Sequence, residues 1–236
     1  ESTGTDWHAQ SVEEVASTLD TDAEAGLDPA EAERRLDEYG PNEIARGETV
    51  SPLELFVEQF QDVLIYVLVF AAVLSLLVGL LPGEEPNYVD AGLILLILLG
   101  NGIFGFVQDY RAEKSMEKLR ELSSPNATVI RGGEKHTVDA TAVVPGDLLA
   151  IEQGDALPAD ARLVSSTDLE TQEAALTGES ANVSKVPDAL DPDTSLAEQC
   201  NMVFMNTSAV RGRGQAIVVE TGMETQVGAI ATQIQA

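Results

Sequence analysis

Two long apolar stretches dominate the pattern of hydrophobic and polar positions along the chain. Residues 63–81 contain no charged residue and no proline, and residues 91–108 form a second uncharged run that is rich in glycine. Nineteen helical residues rise about 28 Å, which is close to the thickness of a bilayer hydrocarbon core. Because a tight acidic turn at 82–87 separates the runs, the pattern predicts a two-helix transmembrane hairpin. The alternative is a buried hairpin of a soluble protein.

Basic residues are distributed unevenly around these two runs. The turn at 82–87 carries no Lys or Arg, whereas four basic residues follow the second run: Arg111, Lys114, Lys118 and Arg120. Since positive charge is retained on the cytoplasmic side, we expect a multi-pass protein of the cell membrane with both termini in the cytoplasm. Residues 51–60 read as an amphipathic lead-in helix at the membrane interface, and residues 110–122 as a helical stalk beyond the second span.

The segment before the apolar runs shows the pattern of two short amphipathic helices. Ser11 and Glu14 have the spacing of a capping box, and apolar residues follow at helical spacing. For the second helix, Asp28 is the predicted N-cap, Pro29 the first helical position, Glu31 the box partner and Gly40-Pro41 the stop. The predicted apolar face of this helix consists of Ala32, Leu36 and Tyr39.

From Asn126 onward the pattern changes to short strands separated by turns. The predicted strands are 128–131, 135–138, 148–152, 162–165, 169–173, 203–210 and 215–221. Gly132-Gly133 is typical of a hairpin turn. About seven strands in such a length predict a small all-β domain, either a sandwich, a jelly roll or a distorted barrel. The predicted fold class is therefore an α+β membrane protein, divided into an N-terminal helical segment at 1–50, the membrane segment and stalk at 51–122, and a cytoplasmic β-domain at 123–236.

The charge of the chain narrows its possible partners. Forty acidic and 13 basic side chains give a formal net charge of −27. Nucleic acid is excluded as an expected partner, because phosphate binding requires basic patches. A dispersed acidic excess with few lysines suits a protein that works in high salt, where screening weakens self-repulsion. The chain lacks a starting Met, and residues 225–236 read as a truncated helix, so we expect it to be a piece of a longer protein.

The candidate chemistry lies in the stretch Thr177-Gly178-Glu179-Ser180. Glycine tolerates positive φ and allows a close backbone approach to a ligand, and a glutamate on such a turn can orient or deprotonate a water molecule. Taken alone, the stretch is equally typical of a solvated turn. His8 and His136 have no neighbouring residues at metal-ligand spacing, so the sequence predicts no metal site in this chain.

Further motifs flank this stretch in a fixed order. Val144-Pro145-Gly146-Asp147 and Gly154-Asp155-x-x-Pro158-Ala159-Asp160 precede it, and Asn201-Met202-Val203-Phe204 and Thr221-Gly222-x-x-Thr225 follow it. Together they resemble the actuator domain of P-type cation-pumping ATPases. The two apolar runs are similar to the first transmembrane hairpin of these pumps, and the segment ending Tyr39-Gly40-x-Asn42 is similar to their N-terminal region. The resemblance covers nearly the whole chain.

The resemblance implies an ATP-driven cation pump that passes through an aspartyl-phosphate intermediate. In such pumps the Thr-Gly-Glu-Ser loop moves onto the phosphoryl group after ion transfer. Glu179 would then position and activate the attacking water, Gly178 would permit the close approach, and Thr177 and Ser180 would hold the loop by hydrogen bonds. Asp147, Asp155 and Asp160 are expected to fix turns through bonds from the backbone to their carboxylates.

The same resemblance assigns the other functional parts to regions outside these residues. The phosphorylated Asp-Lys-Thr-Gly-Thr motif does not occur in the sequence, so ATP and Mg²⁺ would be bound by absent domains, and no cofactor-binding residue is predicted here. The expected partners are the lipid bilayer, the missing phosphorylation and nucleotide-binding domains, the remaining transmembrane helices and the transported cation. We expect the isolated chain to be inactive.

Two features narrow the branch of the family. Ser180 follows Glu179, and the N-terminal segment contains no cysteine, so the chain is more similar to calcium and sodium pumps than to heavy-metal pumps. These residues do not identify the transported ion, because its ligands are expected in later transmembrane helices. The alternative is a stand-alone, membrane-anchored β-domain that binds partners without chemistry. A long reading frame beyond Ala236 with the aspartate motif favours the pump, and a stop codon favours the binding module.

Overall fold

The computed structural model of the chain describes residues 5–44, 52, 56–57, 60–61, 63–78, 88–123, 125–178 and 181–235. The chain divides into two compact units. One unit combines residues 1–45 with residues 124–236, and the other comprises residues 46–123. The N-terminal segment therefore folds together with the β-rich region, although the apolar runs separate them in the sequence.

The first unit contains a β-sheet and several short helices. Its helices are α1 (Val12–Thr18), α2 (Pro29–Tyr39), α5 (Ala174–Thr177) and α6 (Gln226–Gln235). Its strands are β1 (Asn126–Arg131), β2 (Glu134–Asp139), β3 (Leu148–Glu152), β4 (Asp160–Gln172), β5 (Asn182–Ser184), β6 (Met202–Val203) and β7 (Ser208–Glu220). The second unit contains α3 (Val63–Val78) and α4 (Tyr88–Ser123).

All strand pairs of the sheet are antiparallel, in the order β2-β1-β3-β7-β4-β5, and β6 pairs with the beginning of β4. The two long strands β4 and β7 lie side by side, with several register shifts between them. Such bulges bend the strands and increase their twist. The predicted β-domain is thus confirmed in part: its sheet is antiparallel, but the domain also carries helices and is not all-β.

The central part of the sheet is buried on both faces, and this explains why the N-terminal segment belongs to the same unit. Along β3, Leu149 and Ile151 belong to one hydrophobic cluster, whereas Leu148 and Ala150 belong to a second cluster. The second cluster also contains Val15 of α1. Successive residues of a strand point to opposite faces. The continuous apolar run of β3 therefore requires a cover on each side, and α1 provides it on one.

Several predicted strands differ from the observed ones. The predicted strands 162–165 and 169–173 fall on the single strand β4, which ends at Gln172. The predicted strand 203–210 is not continuous, because its first residue belongs to β6 and only 208–210 belong to β7. The predicted strand 215–221 is the second half of β7, which ends at Glu220. The apparent gap in β4 contains Asp168, whose φ is 52°, and the register shifts there. A bulge interrupts the alternation of side chains without ending the strand. Local pattern alone reads such an interruption as a turn.

The helix caps are mostly as predicted. The capping box of Ser11 and Glu14 is present, and the Asp28 carboxylate accepts a hydrogen bond from the Ala30 backbone N–H. Glu31 is not a capping-box partner, contrary to the prediction, because it pairs with Arg34 and Arg35 at 2.6 and 2.7 Å. Hydrogen bonds from Arg34 and then Arg35 lower the pKa of Glu31 to about 2.

The apolar face predicted for α2 is wrong at one position. Ala32 and Leu36 pack in a small cluster, but Tyr39 is 59% exposed. Arg35 is buried in its place, and its guanidinium donates hydrogen bonds to the backbone carbonyls of Pro145 and Asp20. The arginine is accommodated because distant carbonyls satisfy its donors, which the spacing along α2 does not reveal.

The second unit is formed by α3 and α4, which contact each other. Gly102 of α4 leaves room for the Phe60 ring, because a Cβ there would lie 2.7 Å from that ring. Within the described residues, one stretch, Gly92–Met116, is long and apolar enough to cross a membrane. The predicted spans 63–81 and 91–108 fall largely on α3 and α4, while the turn at 82–87 and most of the lead-in helix lie outside the described residues.

Candidate functional site

The stretch singled out by the sequence follows the end of β4. Glu173 comes directly after β4 and is the N-terminal cap residue of the short helix α5. Its backbone carbonyl accepts hydrogen bonds from the backbone N–H groups of Leu176 and Thr177, each at 2.9 Å. The Thr177 hydroxyl donates to the same carbonyl at 3.1 Å. Glu173 thus organises the single helical turn that leads to Gly178.

Gly178 ends this helical turn in the left-handed conformation, with φ of 76° and ψ of −2°. Its N–H donates to the Ala174 carbonyl at 3.0 Å. A Cβ at this position would meet no heavy atom within 4 Å, and the residue is exposed. Glycine is favoured here by the positive φ and not by crowding within the unit. Glu179 and Ser180 lie outside the described residues.

A buried ion pair lies where β4 and β5 adjoin this stretch, and the sequence reasoning did not find it. The Lys185 ammonium lies 2.5 Å from the Glu173 carboxylate, and the two side chains are 0% and 1% exposed. The Thr171 hydroxyl donates to the same carboxylate oxygen at 2.8 Å. Burial lowers the pKa of Lys185, and the charge of Glu173 opposes this shift. The sequence contains only a weak indication of this ion pair, because Lys185 stands a few residues beyond the Thr-Gly-Glu-Ser stretch in a chain with few lysines.

Two of the three aspartates expected to fix turns do so. The Asp155 carboxylate accepts from the Glu152 N–H at 2.8 Å, and the Asp147 carboxylate accepts from the Val144 N–H at 2.9 Å. Asp147 also forms a buried ion pair with Arg131 at 2.6 Å, which the sequence did not indicate. These carboxylates satisfy backbone donors of tight turns.

Asp160 bonds to backbone groups as expected, but these groups are distant in the sequence. Its two oxygens accept from the N–H groups of Met205 at 2.7 Å and Gln226 at 2.8 Å. The side chain therefore joins the start of β4 to the chain after β6 and to the start of α6. Burial raises the pKa of Asp160 to about 6, against the lowering effect of the two backbone hydrogen bonds.

The described residues contain few other features of a site. A cavity of about 270 Å³ is lined by residues of β2, β3, β4 and β7, among them the polar residues Lys135, Ser165 and Arg213. Thr177 and Gly178 are not among its lining residues. Within the part of the chain that the structure describes, no three His, Cys, Asp or Glu side chains are grouped so that they could hold a metal ion. His8 is buried, and its Nε2 lies 3.2 Å from the Pro192 carbonyl.

Two known protein families match this chain, one over its C-terminal half and one over its N-terminal region. Residues 121–235 match the family described as the P-type ATPase actuator domain. Residues 7–75 match the family described as the N-terminus of cation transporters and ATPases. The first match contains β1 to β7 and α5, and the second contains the helices α1 and α2 that complete the first unit. The first match therefore falls almost entirely within the first unit, whereas the second match also extends over most of α3 in the second unit.

Curated proteins give the same result. The chain is 40% identical to a calcium-transporting ATPase of Bacillus subtilis, over 97% of this chain and 25% of that protein. It is 39% identical to a probable cation-transporting ATPase F of Mycobacterium tuberculosis, over 94% of this chain and 24% of that protein. It is also 34% identical to the sodium/potassium exporting P-type ATPase 2 of Saccharomyces cerevisiae, over 97% of this chain and 21% of that protein.

The chain thus spans about a quarter of the length of the curated relatives it matches. Two family matches, similarity over nearly the whole chain, and a sheet domain built from the matched residues all lead to one assignment. The chain belongs to the P-type cation-transporting ATPases, and it carries their N-terminal region and actuator domain.

Proposed function

We propose that this chain is the actuator region of an ATP-driven cation pump and that Glu179 promotes hydrolysis of the aspartyl-phosphate intermediate. The observation that carries the proposal is the turn at residues 173–178 of an actuator-family domain. Glu173 closes the turn through its carbonyl, and an exposed, left-handed Gly178 directly precedes Glu179. A turn of this kind is accessible to a neighbouring domain of the same pump.

The chemistry of the four residues supports distinct roles. Glu179 would orient and activate the attacking water, because hydrolysis of an acyl phosphate depends mostly on positioning and electrostatics. Gly178 would let the backbone approach the phosphoryl group, since no described residue outside its chain neighbours lies within 4 Å of the place where a Cβ would be. Thr177 and Ser180 would hold the loop by hydrogen bonds, and the bond from Thr177 to the Glu173 carbonyl is of this kind.

The second unit would anchor this region in the membrane. α4 exposes a row of large apolar side chains, including Leu96, Ile97 and Phe104. A helix that exposes so many large apolar side chains is unfavourable in water and suits a lipid environment. We propose that α3 and α4 form the transmembrane hairpin at about 63–81 and 91–108, with both termini in the cytoplasm. The β-domain is then the distorted, jelly-roll-like actuator on the cytoplasmic side.

The remaining parts of the proposed reaction belong to the rest of the pump. ATP and Mg²⁺ would bind to the phosphorylation and nucleotide-binding domains, and the cation would bind among later transmembrane helices. Relatives named as calcium-transporting and sodium/potassium-exporting ATPases support calcium or sodium as the ion. The transported ion is identified by measuring the ATPase activity of the complete protein across a panel of cations. The 236 residues alone are expected to hydrolyse no ATP.

The role of Glu179 is tested in the complete pump with Glu179→Gln. Phosphorylation by radiolabelled ATP should remain, whereas hydrolysis of the phosphoenzyme after a chase should slow by about a hundredfold or more, since a general base contributes this much. Glu134→Gln on β2 is the matched control, because Glu134 is exposed. Normal hydrolysis of the phosphoenzyme in Glu179→Gln would remove Glu179 from the mechanism.

A further inference from the structure

The ion pair of Glu173 and Lys185 connects the two chain segments that flank the Thr-Gly-Glu-Ser stretch. Glu173 follows β4, and Lys185 directly follows β5. β4 and β5 pair in antiparallel register, with Gln172 opposite Asn182 and Glu170 opposite Ser184. The Lys185 N–H continues this ladder by donating to the Leu169 carbonyl at 2.8 Å. Both ends of the connection are therefore held by the same two strands.

The Glu173 side chain and the Glu173 backbone have different tasks. The backbone carbonyl closes α5 by accepting from Leu176 and Thr177. The carboxylate points into the interior, where it accepts from Lys185 at 2.5 Å and from the Thr171 hydroxyl at 2.8 Å. The ion pair thus sets the position and orientation of the residue on which the turn before Gly178 is built.

The interactions of Lys185 are also local to this region. Its ammonium lies 3.4 Å from the Gln199 carbonyl and 5.5 Å from the centroid of the Phe204 ring. Both charged groups have lost their hydration, and each is therefore strongly dependent on the other. Nonpolar residues could pack this core at lower desolvation cost. General stability is thus an insufficient explanation for the pair.

We propose that the buried ion pair of Glu173 and Lys185 is a positioning element that fixes the turn at residues 173–178, from which Glu179 acts in dephosphorylation. The proposal rests on the function proposed above for Glu179, because the pair would act through that residue. Glu173 and Lys185 are positioning residues and do not touch the phosphoryl group. Loss of either charge should let the base of the loop shift, and a shift of about 1 Å at a reacting group can cost about a hundredfold in rate.

The chain offers a second buried ion pair as a control. Arg131 and Asp147 lie 2.6 Å apart, with side chains 13% and 0% exposed. Arg131 is on β1, which is separated from β4 by β3 and β7 in the sheet. Arg131→Met therefore removes a buried charge partner from the same domain without changing the base of the loop. It measures what destabilisation alone does to the pump.

The experiment compares variants of the complete pump in a phosphorylation and chase assay. Only molecules that become phosphorylated are followed, so unfolded protein does not enter the rate constant. Lys185→Met and Glu173→Gln should each slow phosphoenzyme hydrolysis by about tenfold to a hundredfold with phosphorylation retained, whereas Arg131→Met should stay within about twofold of the wild type. Glu173→Gln keeps the shape of the side chain, so it remains informative if Lys185→Met folds poorly.

Two combined variants separate positioning from stability. In Glu173→Gln/Lys185→Met both charges are removed, so the melting temperature should recover towards that of the wild type, while hydrolysis should remain slow. In Glu179→Gln/Lys185→Met the second substitution should add no further slowing, because the pair acts through Glu179. Full additivity of the two rate effects would overturn the proposal, and so would recovery of the rate together with the melting temperature.

The assay also keeps this inference apart from the proposed function. If Glu179→Gln hydrolyses its phosphoenzyme normally, the proposed function fails. If Glu179→Gln is slow but Lys185→Met and Glu173→Gln behave like Arg131→Met, the proposed function stands and the positioning role of the ion pair is refuted.

Discussion

Asn42 provides the sharpest test of how the N-terminal segment is attached to the sheet. It is 3% exposed, and its side-chain amide donates to the carbonyls of Ala140 and Pro158, each at 2.9 Å. Its amide oxygen accepts from the Gly222 N–H at 2.7 Å. One side chain from the end of the N-terminal segment therefore joins three separate loops of the β-rich region. The substitution to consider is Asn42→Ala.

The expected loss follows from these three bonds. A buried hydrogen bond between neutral groups contributes about 1 kcal/mol net, and the partners left behind in Asn42→Ala have no replacement. The free energy of unfolding should therefore fall by about 3 kcal/mol. With a urea dependence of about 2 kcal/mol per molar for a unit of this size, the unfolding midpoint should fall by about 1.5 M.

Trp7 makes this change measurable in the whole chain. It is the single tryptophan of the sequence, it is partly buried, and its indole N–H donates to Glu220 at 3.0 Å. Its fluorescence in detergent therefore reports on the unit that contains Asn42 and not on α3 or α4. Asn182→Ala is the control, because its exposed amide makes one long hydrogen bond of 3.5 Å to Glu170.

The outcome for the control variant should differ clearly from that for Asn42→Ala. Surface substitutions of this kind change the free energy of unfolding by no more than about 0.5 kcal/mol, so the midpoint of Asn182→Ala should stay close to that of the wild type. If the midpoint of Asn42→Ala moved no further than that of Asn182→Ala, the three hydrogen bonds would not hold the segment to the sheet. The reasoning would then be refuted.

Two further predictions concern the same unit. Burial raises the pKa of Asp160 from 3.8 to about 6. This carboxyl group therefore contributes stability at pH below about 4, and about 3 kcal/mol of it is lost as the pH rises through 6. In urea unfolding, the stability of Asp160→Asn should not fall across this pH range, and a fall equal to that of the wild type would contradict the assignment. Gly26→Ala should destabilise by about 3 kcal/mol, because φ is +68° and its Cβ would lie 1.9 Å from the Ile130 carbonyl oxygen. Gly133→Ala, with φ of +81° and no atom nearby, should cost only about 1 kcal/mol; equal losses in thermal unfolding would show that the close approach at Gly26 is not limiting.

Local chemistry made several elements predictable. The capping box of Ser11 and Glu14 satisfies backbone donors within four residues, so its signal is complete in the sequence. The bounds of β3 at 148–152 were predicted correctly, because turns flank a continuous apolar run on both sides. The positive φ of Gly178 also agrees with a glycine placed at the end of a turn.

Features that depend on distant partners could not be predicted in the same way. Arg35 lies outside the apolar face predicted for α2, yet the Pro145 carbonyl makes its burial possible. Asp160 reads as part of a local turn, yet it binds the N–H groups of Met205 and Gln226. The continuity of β4 is equally hidden, since its neighbour β7 carries it across the bulges.

The sequence by itself therefore determined the family, the apolar runs, the main helix caps and the stretch at 177–180 where the chemistry is proposed. These features depend on residues that are close in the chain. The tertiary structure alone decided that the N-terminal segment covers one face of the sheet and that Glu173 and Lys185 meet in its interior. The physical reason is that desolvation and hydrogen bonding of buried groups are set by partners that only folding brings together.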